Sequence, residues 1–101
     1  METNTSTLTD QYVAIQKPSM YAVIMHNDNE TPMDFVVELL VKIFHKPVIE
    51  ASELMMAIHQ DGQGLAGIYT YDIAVTKKGQ ADQRSSEKGF PLKITLQEVI
   101  S

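Results

Sequence analysis

A polar stretch, His26–Phe35, constrains this chain most, because it separates an apolar run from an amphipathic segment. Asn, Asp and Thr in series favour turns and helix caps, since their side chains compete for nearby backbone groups. Thr31 is predicted to be a helix N-cap, with Pro32 at the first helical position and Asp34 completing a capping box. We call residues 26–35 the elbow. We expect it to form a fixed turn that can present oxygen atoms to a cationic ligand.

The pattern of apolar residues divides the rest of the chain into strands and helices. Short apolar or alternating runs indicate strands, whereas apolar residues at i, i+3, i+4 and i+7 indicate helices. The predicted segments are strands at 20–25, 65–70 and 90–96 and helices at 32–46, 48–60 and 71–88. The order β-α-α-β-α-β predicts an α+β fold in which a three-stranded antiparallel sheet packs against helices.

The same pattern predicts which helix faces are buried. Pro47 ends the first helix, because the residue before a proline is pushed out of the helical region. Gly62 is the predicted C-cap of the second helix, and Gly79 weakens the third by about 1 kcal/mol relative to Ala. The predicted inner residues are Phe35, Val36, Leu39, Leu40, Ile43 and Phe44 in the first helix, Ala51, Leu54, Met55 and Ile58 in the second, and Ile73, Ala74 and Ala81 in the third.

The length of 101 residues suits one small domain. Residues 1–19 are rich in Thr, carry only scattered apolar residues and end in Lys17-Pro18-Ser19. We therefore expect residues 1–19 to be a flexible N-terminal extension and residues 20–101 to form the domain.

Composition excludes several classes of function. Thirteen acidic residues against eight basic ones give a net charge of -5, which argues against binding to nucleic acid. The absence of cysteine excludes disulfides and thiol catalysis. The apolar runs are too short for a membrane span, and the chain does not open on a signal-like segment. We expect a soluble, cytoplasmic protein.

Three motifs point to chemistry that their context does not support. Gly62–Gly67 matches GxGxxG, but it follows a helix and leads into a strand, the reverse of a dinucleotide site. The histidines at positions 26, 45 and 59 lack the i, i+4 spacing of a zinc pair. Asp28–Glu30 lacks the glycine and the distal glutamate of a calcium loop. We expect neither a metal nor a cofactor.

Some residues have both a structural and a functional interpretation. His59 borders the buried face of the second helix, so it is either a satisfied structural residue or a site imidazole. Met33 and Met55 are either core residues or the lining of an adaptable apolar pocket. A metal-dependent hydrolase would need Asp28 and His59 to activate water, and the sequence contains no candidate nucleophile or oxyanion hole.

Considered together, these segments resemble the ClpS adaptor family. The resemblance covers roughly residues 18–97, in order and without large gaps. It rests on YAVIMHNDNETP and MDFVVELL in the first half, on MMAIH and GLAGIYT with its DIAVTK continuation in the middle, and on the closing PLKITL.

The resemblance implies a non-catalytic adaptor of the bacterial N-degron pathway, cytoplasmic and monomeric when free. Such an adaptor binds the N-terminal Leu, Phe, Tyr or Trp of a substrate and delivers it to the ClpA unfoldase of the ClpAP protease. The implied contacts are Asn27, Asp28 and His59 to the α-amino group and first peptide unit, Thr31, Met33, Val36, Met55, Ile58 and Leu92 to the side chain, and Asp72, Thr76 and Lys77 to the unfoldase.

The sequence departs from the family pattern at the rim of the elbow. Asn29 and Glu30 stand where a second Asp and an aromatic residue are common. A further departure lies outside the elbow, where Asp72 is shorter than the expected Glu.

The alternative function is a generic protein-interaction domain, similar in plan to the C-terminal domain of the ribosomal stalk, that does not recognise an N-terminal residue.

Overall fold

The computed structural model describes residues 18–100 of the chain, so the predicted extension at residues 1–19 lies almost wholly outside it. Strands and helices follow in the predicted order. They are β1 (Met20–His26), α1 (Met33–Lys42), α2 (Val48–Asp61), β2 (Gln63–Thr70), α3 (Tyr71–Lys88) and β3 (Lys93–Val99). The strands form one antiparallel sheet in the order β2-β1-β3. The predicted fold class is confirmed.

The first strand of the chain is the centre of the sheet. His26, its last residue, pairs with Gln63 at the start of β2 and with Lys93 at the start of β3. The register against β2 shifts between Val23 and Ile24, as at a β-bulge, which increases local twist. The elbow therefore leaves the sheet from its middle, between the first residues of both edge strands.

Alternation along β1 directs one set of side chains into the core. Val23 and Met25 have no solvent exposure, and neither do Leu39 and Leu40 of α1. Fully burying a side chain of this size contributes roughly 1.5–3 kcal/mol. β1 and α1, which flank the elbow, are thus anchored by the largest fully buried side chains among residues 18–100.

The start of α1 differs from the prediction. The helix begins at Met33, after Pro32 in an extended conformation, and no side chain caps it. The predicted capping box at Thr31 and Asp34 is therefore wrong, because the Thr31 hydroxyl bonds to the side chain of Asp28 instead.

The end of α1 also differs. The helix stops at Lys42, and the Phe44 N–H reaches back five residues to the Leu39 carbonyl at 3.4 Å. His45 then takes a left-handed conformation with φ 57°, which is uncommon for a non-glycine residue. Ile43 and Phe44 are buried as predicted, but on a turn that follows the helix rather than on the helix itself.

The later elements confirm some predicted residues and correct others. Gly62 caps α2 with φ 91° and donates its N–H to the Ile58 carbonyl at 2.9 Å. Ala74 and Ala81 of α3 are fully buried, but Ile73 is 48% exposed, so its predicted inward position is wrong. Ser85, near the other end of α3, is buried although it was not predicted to be.

The last strand begins at Lys93 rather than at Phe90. Gly89 ends α3 in a left-handed conformation, and the Phe90 N–H bonds to the carbonyl of Ser85. Pro91 has no N–H to give to a ladder, so residues 89–92 form a connection. None of the helices within residues 18–100 has the length and apolar character needed to cross a membrane.

Candidate functional site

A shallow depression, with about 270 Å³ of empty space when its part open to solvent is included, lies where the elbow, the second half of α2 and the connection before β3 meet. We call it the elbow pocket. Its lining combines apolar side chains with a few polar ones, which is typical of small-ligand sites. The lining residues are His26, Asn27, Asp28, Thr31, Met33, Val36, Met55, Ile58, His59 and Leu92. The structure thus gathers at one place every residue predicted to bind the substrate's amino group or side chain.

One backbone hydrogen bond explains how distant segments meet here. The Asn27 N–H, just past the end of β1, donates to the carbonyl of Gly62 at 2.9 Å. Gly62 is the left-handed C-cap of α2, so this bond ties the elbow to the end of that helix. His59, in the last turn of α2, is thereby held beside Asn27 at the pocket.

The turn of the elbow is built on the carboxylate of Asp28. Its Oδ1 accepts the Glu30 N–H at 3.3 Å, and its Oδ2 accepts the Thr31 hydroxyl at 2.5 Å. The Thr31 N–H also donates to the Asp28 carbonyl at 3.4 Å. Side chains of Asp commonly close turns in this way, so the elbow is a turn as predicted, but Thr31 has a different hydrogen-bond partner from the predicted one.

The floor of the elbow pocket is apolar and comes from three elements. Val36 of α1, Ile58 of α2 and Leu92 before β3 are all buried. Met55 is half-buried, whereas Met33 is 41% exposed and lies at the first position of α1. An apolar recess with a flexible methionine at its edge can accept apolar side chains of different shape.

Two polar side chains at the rim of the elbow pocket, those of Asn27 and His59, make no side-chain hydrogen bond within residues 18–100. Both residues are exposed. His59 is therefore not a satisfied core residue. An amide oxygen, an imidazole and a carboxylate here surround an apolar recess.

His26 lines the elbow pocket although the sequence analysis did not assign it there. Its Nε2 lies 2.8 Å from the hydroxyl of Thr95 on β3, and this contact links the ends of the two strands beside the elbow. The only sequence feature that could have indicated a place for His26 in the pocket is that it directly precedes Asn27.

The residues predicted to dock on an unfoldase are on α3, and none of them lines the elbow pocket. Asp72 and Thr76 are exposed, and the Thr76 hydroxyl donates to the Asp72 carbonyl at 2.9 Å. This is the usual i to i-4 bond of a threonine within a helix. Both side chains are accessible.

Lys77 is turned toward the interior. Its ammonium donates to the carbonyl of Ile43 at 2.7 Å and lies 5.3 Å from the ring centre of Tyr69, within cation–π range. Burial raises the pKa of the Tyr69 hydroxyl. Lys77 thus ties α3 to the end of α1, a structural contact that its position in the sequence did not reveal.

A larger depression, of about 1070 Å³, lies on the other side of α1, between α1 and α3. We call it the α1/α3 groove. Three of its charged side chains pair: Glu38 lies 3.5 Å from the ammonium of Lys42 and 3.6 Å from the guanidinium of Arg84. None of the residues predicted to bind a substrate or an unfoldase lines it. Residues 18–100 contain no cluster of His or carboxylate side chains that could hold a metal ion.

Comparison with known proteins identifies the family. The family model for the ATP-dependent Clp protease adaptor protein ClpS matches residues 16–95. The chain belongs to the ClpS family. The ClpS adapter protein of Syntrophus aciditrophicus is 47% identical over 85 residues, which are 84% of this chain and 79% of the relative. That of Clostridium acetobutylicum is 45% identical and covers 84% of both chains.

A solved ClpS structure has the same fold. Agrobacterium tumefaciens ClpS2 bound to L-phenylalaninamide matches with a TM-score of 0.79 and 32% identity, over 82% of this chain and 100% of that one. The resemblance stated from the sequence is therefore confirmed. This chain is a member of the family of adaptors of the Clp protease.

Proposed function

We propose that this ClpS protein binds Leu, Phe, Tyr or Trp at the N-terminus of substrate proteins and delivers them to the ClpA unfoldase for degradation by ClpAP. It acts as an adaptor and performs no chemistry of its own. The observation that carries the proposal is the elbow pocket, where Asn27, Asp28 and His59 border an apolar recess.

The ligand of the related ClpS2 fits this arrangement chemically. L-Phenylalaninamide has a free α-amino group, an aromatic side chain and an amide where a peptide bond would follow. These are the features of a polypeptide that begins with Phe. In our proposal the rim takes the amino group and the first peptide unit, and the apolar floor takes the side chain.

An α-ammonium group is what distinguishes a chain terminus from an internal residue. It carries a positive charge and N–H donors, and acetylation removes the charge. Asp28 supplies a carboxylate, Asn27 supplies an amide oxygen and His59 supplies an imidazole. A hydrogen bond to a charged group contributes roughly 1.5–3 kcal/mol, and acetylation of the terminus would remove that contribution.

Side-chain selection follows from the floor of the elbow pocket. Val36, Ile58 and Leu92 are buried apolar residues, so a charged side chain placed among them would lose its hydration without a partner. Burying a Leu or Phe side chain there contributes about 1.5–3 kcal/mol. Association itself costs free energy, so we expect a modest affinity that allows the cargo to be released.

Delivery needs a second surface that stays free while the pocket is occupied. Asp72 and Thr76 meet that requirement, since they are exposed on α3 and do not line the elbow pocket. The Lys77 ammonium is bonded to Ile43, so it takes part in docking only if this internal bond is exchanged. We propose Asp72 and Thr76 as the principal docking side chains.

Fluorescence anisotropy with a labelled peptide tests the proposal. A peptide that begins with Phe or Leu should bind, and the same peptide acetylated at its N-terminus should not. A third peptide with Glu at its N-terminus controls for the side chain and should also fail to bind. Equal affinity for the free and acetylated peptides would contradict the proposal and favour a generic interaction domain.

A further inference from the structure

A buried hydroxyl anchors the carboxylate of the elbow. Thr31 is 8% exposed and, with Ser85, makes up the buried polar residues of the described chain. Its hydroxyl donates to Asp28 Oδ2, and the two oxygen atoms lie 2.5 Å apart. The backbone N–H of Glu30 holds Asp28 Oδ1. Both oxygens of the carboxylate are thus fixed by the protein itself.

The anchored carboxylate keeps capacity for a ligand. Each carboxylate oxygen has two lone-pair directions, and the bonds from Glu30 and Thr31 use one on each oxygen. One direction per oxygen is left for the N–H groups of an ammonium. Because Asp28 is already held in one orientation, ligand binding does not have to immobilise it, which lowers the entropic cost of binding.

We propose that Thr31 is a positioning residue for N-terminal recognition: it orients the Asp28 carboxylate toward the substrate's ammonium group. The inference rests on the proposed function and adds a role to a residue otherwise assigned only to the wall of the side-chain pocket. Thr31 touches the elbow pocket, but its effect on affinity passes through Asp28.

The two roles of Thr31 have different consequences. A wall residue that contacts the substrate's side chain changes the ratio of affinities for Phe and Leu when its shape or polarity changes. A residue that orients the carboxylate changes both affinities by the same factor, because every substrate carries the same ammonium group. Thr31→Val separates these cases, since Val has nearly the shape of Thr but lacks the hydroxyl.

The experiment measures the binding of Phe- and Leu-initiated peptides to the full chain by anisotropy. Thr31→Val should weaken both about tenfold, the effect of losing roughly 1.4 kcal/mol, with the Phe/Leu ratio unchanged. Thr31→Ser, which restores the hydroxyl, should recover most of the affinity. Thr70→Val is the matched control, because Thr70 pairs with Met20 at the opposite end of β1 from the elbow. A Thr31→Val loss below twofold, or a changed Phe/Leu ratio, would overturn the inference.

A double-mutant cycle with Asp28→Ala tests the route of the effect. If Thr31 acts through Asp28, Thr31→Val should cause no further loss once Asp28 has been replaced. Losses that multiply would show an independent role for Thr31 and overturn the inference.

A measurement without peptide tests whether Thr31 anchors the Asp28 side chain, independently of any binding. Three-bond NMR couplings report the rotamer of Asp28, which should be single in the unmodified chain and in Thr31→Ser and averaged in Thr31→Val. Averaged couplings in the unmodified chain would overturn the inference. A single rotamer in a chain that binds no peptide would contradict the proposed function while supporting the anchoring.

Discussion

Helix α1 separates two depressions that differ in almost every respect. The α1/α3 groove has about four times the volume of the elbow pocket, about 1070 against 270 Å³. In the groove, Glu38 already pairs with Lys42 and Arg84. In the elbow pocket, Asn27 and His59 have no side-chain partner among residues 18–100. The two depressions thus differ in the character of their lining, and the binding role proposed for the elbow pocket rests on that lining rather than on volume.

Two adjacent residues of α1 show how one helix serves both depressions. Phe35 lines the groove and Val36 lines the elbow pocket, although each is almost fully buried. Consecutive helical residues point about 100° apart, so a single helix can present different walls on its two sides. Substitutions on each side should therefore affect different properties.

The largest expected effect is on stability, from the groove side. Phe35→Ala should lower the free energy of unfolding by about 3–5 kcal/mol, since it removes a buried ring that packs edge-on against Phe90 with centroids 4.9 Å apart. Urea denaturation measures the loss. The folded fraction should still bind a Phe-initiated peptide within threefold of the unmodified affinity.

A small domain can lose its fold after such a truncation, so Phe35→Leu serves as the milder variant. It should show the same pattern with a smaller loss of stability. A tenfold loss of peptide affinity in folded Phe35→Leu would show that the groove and the elbow pocket are not separate.

The next effect is on binding, from the pocket side. Asp28→Ala should weaken peptide binding by about 10- to 150-fold, the equivalent of losing a charged hydrogen bond of roughly 1.5–3 kcal/mol. Glu38→Ala is the matched control, because it removes a carboxylate from the groove. Anisotropy with a Phe-initiated peptide compares them, and similar losses for the two variants would refute the distinction drawn between the two depressions.

A smaller effect concerns the contact that joins α3 to α1. Lys77→Met keeps most of the apolar stem but removes the ammonium that bonds to Ile43. We expect the free energy of unfolding to fall by about 1–2 kcal/mol, near the lower end for a charged hydrogen bond because the group is only partly buried. Lys42→Met, which removes the ammonium of an exposed pair with Glu38, is the control. Equal free energies of unfolding for the two variants would show that the Lys77 contact contributes no more to stability than an exposed ion pair.

The smallest effect tests the charges of the groove. Glu38→Gln should change the free energy of unfolding by less than about 0.5 kcal/mol, because exposed ion pairs contribute little and are screened by salt. Thermal unfolding at low salt and at about 1 M salt measures the change, which should vanish at high salt. A salt-independent loss well above this size would mean that the groove charges are part of the structural core.

The sequence was most informative where local chemistry determines structure. The strand and helix order, the bounds of α3 and the Gly62 cap were predicted because periodicity, proline and glycine act locally. Ile73 was misplaced because the orientation of α3 is set by contact with the sheet, where small residues allow close approach. Ala74, Ala81 and Ser85 provide that surface, although Ile73 is the more hydrophobic residue.

For the elbow pocket, the lining residues were predicted, but some side-chain contacts were not. Its residues came from the family resemblance, and the structure brings all of them together, while their roles remain predictions. The partner of Thr31 and the inward turn of Lys77 depend on side-chain directions that spacing does not determine. A threonine before a proline indicates a helix cap, whereas the Thr31 hydroxyl donates to the carboxylate of Asp28, three residues earlier.

The central place of β1 has a consequence for fidelity. β1 pairs with β3, so His26 lies opposite Lys93 although most of the chain separates them. Leu92, which closes the elbow pocket, is set in place by that pairing. A copy whose last strand has detached keeps the elbow but loses one wall of the elbow pocket. Under the proposed function, we therefore expect such a copy to bind no N-terminal residue, so that only fully assembled molecules would capture a substrate.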